Sequence, residues 1–464
     1  MTSGKTISGL ALMVAAGWAL PAQAQASDAA GMQQELQAMR AQMEAMAQRI
    51  NTLEAQLETT SAKADAAGEA AQVASATATQ AATQAADSAK AASDTTIAWK
   101  GAPLIESKSG WSFKPRGRLN IDAGFVDAPD STGREDGFGS EMRRARLGVE
   151  GDIPGGFGYK FEVDFAGNAT EVTDASLSYA DGPLTLTVGQ HNNFQGLEEL
   201  SSSRHTSFIE RAAFTDAFGF ERRLGVSAQA ATGDVLVQAG IFSDNIGDTP
   251  NKNWSLDGRA VYMPKFGDTQ LHLGGSAHMA MLEDGSTVRY RQRPLVHFTS
   301  ERFINTGSMP ATRETGYGLE AAAIAGPLSV AAEGFWQTVS RPGLDNPTFF
   351  GGYVEAGYFL TPGDTRGYKN GLFDRVKPKK EVGEGGIGAI SLNARYDFLD
   401  LNDAGIVGGK QDGYEFSLVW SPTDYTRMFF NYAKLSYTDA VYSAAGGDTS
   451  YDVDAFGVRA QVDF

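Results

Sequence analysis

Tyr159-Lys160-Phe161-Glu162-Val163-Asp164-Phe165 alternates without a break: aromatics and Val on one side, Lys, Glu and Asp on the other. A period of two is the period of a β-strand, whose successive side chains point to opposite faces. One such segment fits a half-solvated soluble sheet as well as a barrel wall with lipid outside and water inside. The repeat of the pattern separates the two. Leu184-Thr185-Leu186-Thr187-Val188 and Tyr414-Glu415-Phe416-Ser417-Leu418 have the same form. In all, about sixteen segments of roughly nine to twelve residues follow from Trp111 to the last residue, the length a tilted strand needs to cross hydrocarbon. They lie near 112–123, 142–151, 158–166, 173–180, 183–190, 223–231, 234–242 and 256–263, then 269–280, 314–325, 327–338, 349–360, 388–397, 412–420, 425–435 and 453–464. The fold class expected is all-β, a transmembrane antiparallel β-barrel of about 16 strands occupying 105–464, with an N-terminal α-helical coiled-coil extension.

The connections support this. Asp152-Ile153-Pro154-Gly155-Gly156, Asp181-Gly182, Thr232-Gly233, Ala325-Gly326-Pro327 and Ser421-Pro422-Thr423-Asp424 are tight turns. Longer stretches near 124–141, 191–222, 281–313, 398–411 and 436–452 alternate with them, the asymmetry of a barrel with short turns at one end and long loops at the other. Residues 361–387 break the rule, falling on the short-turn side while being long. Either a strand is miscounted or that segment folds into the periplasmic mouth. The chain ends on Phe456, Val458, Ala460, Val462 and Phe464 on one face and Arg459, Gln461 and Asp463 on the other. A last strand ending in Phe resembles the signal read by the outer-membrane assembly machinery of Gram-negative cells.

Upstream of the barrel the period is different. Lys5, the apolar run from Ile7 to Leu20 and Ala22-Gln23-Ala24 read as an export signal over 1–24, too short and interrupted for a membrane span. Met32, Leu36, Met39, Met43, Met46, Ile50, Leu53 and Leu57 recur at alternating steps of four and three, the seam of a coiled coil over 25–57. Residues 58–104 are an Ala/Thr-rich stretch, a disordered linker or a thin Ala-cored stalk.

Composition narrows the function. The chain has 54 Gly in 464 residues, above the ~7% average, no cysteine and a net charge of −17. Disulfide frameworks and Cys-ligated zinc are excluded, and nucleic acid is no partner for so acidic a chain. The five histidines are scattered; His272 and His278 read as a solvated pair in the lumen. No P-loop or nucleophile elbow appears, so neither an enzyme nor a cofactor is expected. A selective pore needs instead a wet path lined by charge of one sign. Lys114, Arg116 and Arg118 share the inward face opposite Phe113, Leu119 and Ile121. Arg144 and Arg146 oppose Ala145, Leu147 and Val149, and Arg223, Arg395 and Arg459 follow the same logic. A charge facing lipid costs about 2–4 kcal/mol at the midplane. Asp122, Glu150, Glu162, Asp164, Glu355 and Asp397 share those faces, so wall arginines paired with them would only stabilise the barrel. The long loop 191–222, with Ser201-Ser202-Ser203, Arg204, His205, Arg211 and Arg222, is the better place for selectivity.

Met142-Arg143-Arg144-Ala145-Arg146-Leu147-Gly148-Val149-Glu150-Gly151, the segment 159–165, Asp174-Ala175 to Tyr179 and Val188-Gly189-Gln190 occur in order. Leu197-Glu198-Glu199-Leu200-Ser201-Ser202-Ser203 and Glu210-Arg211 follow them. Together they resemble the phosphate-selective porin O/P family over roughly 105–464. The resemblance implies a homotrimer of sixteen-stranded barrels whose third loop enters the lumen, passing small anionic solutes such as phosphate down a ladder of arginines. It puts Arg143 and Arg144 at the outer arginine pair and Arg211 at the constriction. Arg204 stands, after Ser203, where phosphate-selective members carry Lys; Lys and Arg hold oxyanions differently, which puts strict phosphate selectivity in question. Lys377, Lys379 and Lys380 would form the periplasmic basic cluster.

The expected protein is thus an anion porin of the Gram-negative outer membrane, embedded in its lipid, with the coiled coil in the periplasm. Two alternatives stand beside it: a general porin with little or cationic selectivity, and a structural tether whose coiled coil contacts the cell wall.

Overall fold

The computed structural model describes residues 29–91, 95–134, 137–167 and 169–464; the expected export signal at 1–24 lies outside the described residues. The chain forms two units, Met1–Ala92 and Ser93–Phe464.

The first unit holds one 63-residue helix, α1 (Ala29–Ala91). Ala, Gln, Glu and Met favour this backbone, and the threonines are accommodated by bonding back to the preceding turn. Thr52 Oγ1 donates to Gln48 O at 2.7 Å, and Thr77 and Thr83 donate to Val73 O and Thr79 O at 2.8 Å each. The stretch from 58, for which linker and stalk were both open, is therefore helical as far as Ala91. The seam residues Leu36, Met39, Met43, Met46, Ile50, Leu53 and Leu57 are all exposed.

The second unit is a closed barrel of sixteen antiparallel strands. They are β1 (Ser112–Asp127), β2 (Gly137–Ile153), β3 (Phe157–Asp164), β4 (Glu171–Asp181), β5 (Leu184–Asn192), β6 (Arg222–Thr232), β7 (Val235–Phe242) and β8 (Trp254–Tyr262). They continue as β9 (Thr269–Met281), β10 (Arg313–Ala325), β11 (Leu328–Ser340), β12 (Thr348–Phe359), β13 (Ala389–Asp403), β14 (Ile406–Thr423), β15 (Thr426–Thr438) and β16 (Tyr451–Asp463). Each strand pairs with the next, and β16 closes on β1 with Arg459 opposite Asp122. Closure leaves no unpaired sheet edge in hydrocarbon, which is what makes a sheet viable in a membrane. A hairpin of Thr95–Trp99 and Pro103–Ser107 extends β1 at the short-turn end, with Ile105 opposite Phe113. The expected boundary at 105 thus falls inside that hairpin.

Every one of the sixteen alternating segments corresponds to a strand. On β16 the exposure alternates as expected: Phe456 and Val462 face out while Arg459, Gln461 and Asp463 are buried. Phe464 is tied to the first strand: its N–H donates to Gly117 O at 3.0 Å, and Gly117 N–H donates to Phe464 O at 3.1 Å. A Cβ at residue 117 would overlap the Phe464 ring, so the terminal aromatic sits in a notch that glycine leaves open.

Three expectations need correction. Residues 398–411 are not a loop: β13 and β14 run on to a two-residue turn, Ala404-Gly405, both at positive φ (48° and 79°), the type I′ geometry that suits strand twist. His272 and His278 are not solvated; both are buried, at 2.7 Å from Tyr368 Oη and Asp257 Oδ1 respectively. The inward face is not polar throughout. Phe335, Phe349, Tyr353, Leu399, Leu401, Phe429, Leu435 and Tyr437 point inward and bury Phe214 and Phe218 of loop 193–221 and Tyr290 and Phe303 of loop 282–312. Apolar side chains serve there because loops, rather than water, fill that part of the bore.

The anomalous segment, 360–388, is resolved in favour of inward folding. The strand count stands, and a small hairpin of Gly367–Lys369 and Leu372–Asp374 enters the barrel. Arg259 of β8 donates to Gly371 O at 3.0 Å, and Phe373 N–H donates to Ser201 Oγ at 3.1 Å.

Candidate functional site

Loop 193–221 lies against the inner wall, held by residues from strands far apart in sequence. Glu333 (β11) accepts the N–H groups of Leu197 and Glu198 at 2.9 and 2.6 Å, and Asp397 (β13) accepts Ala213 N–H at 2.9 Å. Ser417 (β14) donates to Ser207 O at 2.6 Å, Arg427 (β15) to Arg204 O and Thr206 O at 2.7 and 3.0 Å, and Arg459 (β16) to Ile209 O at 2.5 Å. Arg395 (β13) carries the densest contact. Its Nη2 lies 3.0 Å from Glu198 and 2.7 Å from Glu355, and its Nη1 is 3.7 Å from Glu415.

The bore left open runs along β1–β6. At the long-loop end is a polar cavity of about 740 Å³ lined by Arg143, Arg144 and Arg146 of β2, Glu199, Glu210 and Arg211 of the loop, and Arg293 and His297. At the short-turn end a cavity of about 850 Å³ is lined by Lys100, Lys114, Lys160 and Lys369 together with Glu106, Glu150, Asp152 and Asp174, and Lys160 lies 3.0 Å from Asp174.

A β-bulge shapes the wall between them. The β1–β2 register pairs Asn120 with Arg144 but Ile121 with Met142, leaving Arg143 as the extra residue. Strict alternation would send neighbouring arginines to opposite faces; the bulge turns both Arg143 and Arg144 inward.

The candidate residues then separate by partner. Arg143 is neutralised by Glu210, with Nε and Nη2 at 2.8 and 3.0 Å from its two oxygens. Arg116 pairs with Glu150 and lies 3.9 Å from Glu162. Arg146 pairs with Asp164 at 2.7 Å, Arg223 with Glu221 at 3.5 Å and Arg459 with Asp122 at 2.6 Å. Arg204 reaches Asp463 at 3.7 Å, and Arg211 is engaged by the carbonyls of Glu198, Glu199 and Ser201 at 2.8–3.0 Å, bracing the loop's own turn.

Two differ. Arg118 and Arg144 are 7% and 6% exposed and have no carboxylate within 4.0 Å among the described residues. Arg118 Nη1 donates to Ser203 Oγ at 2.5 Å while its Nε has no partner, and Arg144 Nη1 is buried without one. They sit two positions apart on facing strands, since Arg118 is opposite Arg146 and Asn120 opposite Arg144. In loop 282–312, burial and then the neighbouring Arg293 push Arg302 down to about 10.

Lys377, Lys379 and Lys380 are in segment 360–388 and line neither cavity. The lysines at the short-turn mouth are Lys100, Lys114, Lys160 and Lys369, of which only Lys114 was singled out from sequence. Arg427 and Arg259 were legible, each alternating with outward apolar neighbours. Arg366, which joins Glu355 and Ser207 at 2.6 Å each, lies in an irregular segment whose sequence carries no period.

A closed barrel with an apolar outer face, a charged bore and loops folded inside it defines an outer-membrane channel. The chain belongs to the phosphate-selective porin O and P family, whose model matches residues 113–464. It is 49% identical over 388 residues, 80% of this chain and 78% of the other, to a protein of Caulobacter vibrioides described only as uncharacterized. Among solved structures, the outer-membrane-expressed OmpT of Vibrio cholerae is similar at 12% identity and a TM-score of 0.51, covering 78% of this chain and 100% of that one. The high-pH structure of Pseudomonas putida OprB is similar at 13% identity and a TM-score of 0.50, covering 77% and 94%. Likeness at that identity is likeness of fold.

Proposed function

We propose that this porin passes small anions, phosphate among them, by diffusion, and that loop 193–221 forms its constriction. The observation that carries the reading is the pair Arg118 and Arg144, two buried inner-wall cations with no carboxylate within 4.0 Å among the described residues; Arg427, which also has none, is engaged by the carbonyls of Arg204 and Thr206. A buried unpaired charge is costly, by several kcal/mol, and a passing anion relieves that cost. The Ser203 hydroxyl beside Arg118 adds a second kind of donor for an oxyanion. Arg143, Arg204 and Arg211 set the loop's position rather than bind the solute. No cofactor or energy source is involved.

In the same reading the short turns face the periplasm, α1 lies there, three copies form a homotrimer, and the Phe464 strand end is what the assembly machinery engages. The matched wall pairs favour the second reading, a general porin with little selectivity. Phosphate separates the two. Added at millimolar concentration to one side of a bilayer carrying the purified porin in KCl, it is expected to lower the chloride current at least about twofold. An unchanged current would remove phosphate from the account.

A further inference from the structure

The seam on α1 does not end at Leu57. Continued at the same steps, it passes Thr60 and then runs through Ala64, Ala67, Ala71, Ala74, Ala78, Ala81 and Ala85. All seven seam positions from 64 to 85 are Ala, whereas the other fifteen positions of that stretch include only Ala66, Ala70, Ala76 and Ala82. Alanine is therefore sorted to one seam and is not a simple compositional bias.

That sorting has a geometrical meaning. An ideal straight helix drifts about 20° per heptad against a seven-residue repeat, so over the seven heptads from Leu36 to Ala85 the seam would wind about 140° round the helix. A flat surface cannot follow such a line; another helix, supercoiling with this one, can. An Ala seam also demands close approach, toward the ~8 Å lower end of helix spacings, which large side chains forbid.

We propose that α1 is a continuous parallel, in-register zipper with two further copies of this chain. Its Leu36–Leu57 part is wide and Met/Leu-cored, and its Ala64–Ala85 part is narrow and Ala-cored. Parallel register sets large residues against large and Ala against Ala; an antiparallel pairing would set Leu57 against Ala64 and leave gaps along both halves. The charges agree. Residues flanking a parallel seam meet across it at an offset of five, and Arg49 and Glu54 occupy such positions. The offset recurs in the sequence at Glu35 and Arg40. The occupant is thus the chain itself, and the count of three rests on the trimeric reading of the porin.

The chain has no cysteine, so single substitutions report cleanly. Full-length porin carrying Ala71→Cys or Ala78→Cys on the seam, or Gln72→Cys or Gln80→Cys beside it, is to be oxidised mildly in detergent and run on denaturing gels. Amine cross-linking of the unoxidised protein and bilayer conductance are measured in parallel. The seam variants are expected to give disulfide-linked dimers with about a third of the chains left unlinked, because three helices hold an odd thiol. The variants beside the seam are expected to link at least about fivefold less. Equal linking at all four sites, in protein that conducts and cross-links as a trimer, would overturn the zipper and leave the porin reading standing. Complete linking at the seam would overturn the count of three. A porin that conducts as a monomer would remove both zipper and trimer, and one that does not conduct would remove the porin reading itself.

Discussion

Replacing Arg118 and Arg144 together by glutamate is expected to turn an anion-preferring pore into a cation-preferring one. Neither guanidinium group has a carboxylate within 4.0 Å among the described residues, so the double change shifts the local charge from +2 to −2 with little else altered. Buried charges are screened less than surface ones, and a preference change of at least about tenfold is the scale expected of such a reversal. Arg118→Gln with Arg144→Gln carries half that charge change and is expected to abolish the preference without reversing it. The paired substitution Arg116→Gln with Glu150→Gln removes a matched pair, leaves the local charge unchanged, and is expected to keep the native preference. Permeability ratios from bilayer recordings check all three. If the porin carrying both glutamate substitutions still prefers anions, with its barrel intact by heat-shifted migration on gels, the solute takes another path.

The second large effect concerns the loop's anchorage. Arg395 is fully buried and faces Glu198, Glu355 and Glu415. Removing one member of a buried ion network leaves charges without a counter-ion, at a cost of about 3–5 kcal/mol. Glu198 belongs to the loop, so that cost falls on the contact holding it to the wall. Arg395→Met is therefore expected to raise single-channel conductance by roughly half or more, add open-channel noise and expose 193–221 to protease, while the sixteen-strand ladder persists. Unchanged conductance and protease resistance would show that the bonds from Glu333, Asp397, Arg427 and Arg459 suffice without Arg395.

The barrel was legible because lipid imposes a strict rule on every second residue, and that rule is written locally in stretches such as 159–165 and 453–464. Wherever the rule relaxes, local sequence loses its hold. Leu399 and Leu401 look like members of a loop beyond a strand ending at 397, yet they face inward to pack on other loops, a long-range fact no window of ten residues contains. Arg143 beside Arg144 breaks alternation through a bulge, and only the resemblance to the porin O/P family marked both. The site was half legible for the same reason. Alternation located the inward arginines, but which are matched depends on partners such as Glu210 and Asp164 and on Ser203, brought together by strand register and loop folding. Lys377, Lys379 and Lys380 were singled out for their clustering, while Lys100 and Lys369, each isolated in sequence, line the short-turn cavity.

The central claim is that Arg118 and Arg144 leave uncompensated positive charge on the inner wall. The zero-current potential of the unmodified porin across a tenfold KCl gradient tests it most directly. Chloride carrying the larger share of current, with the potential displaced by tens of millivolts toward the chloride equilibrium value, is the predicted result. A displacement toward the potassium value would contradict it.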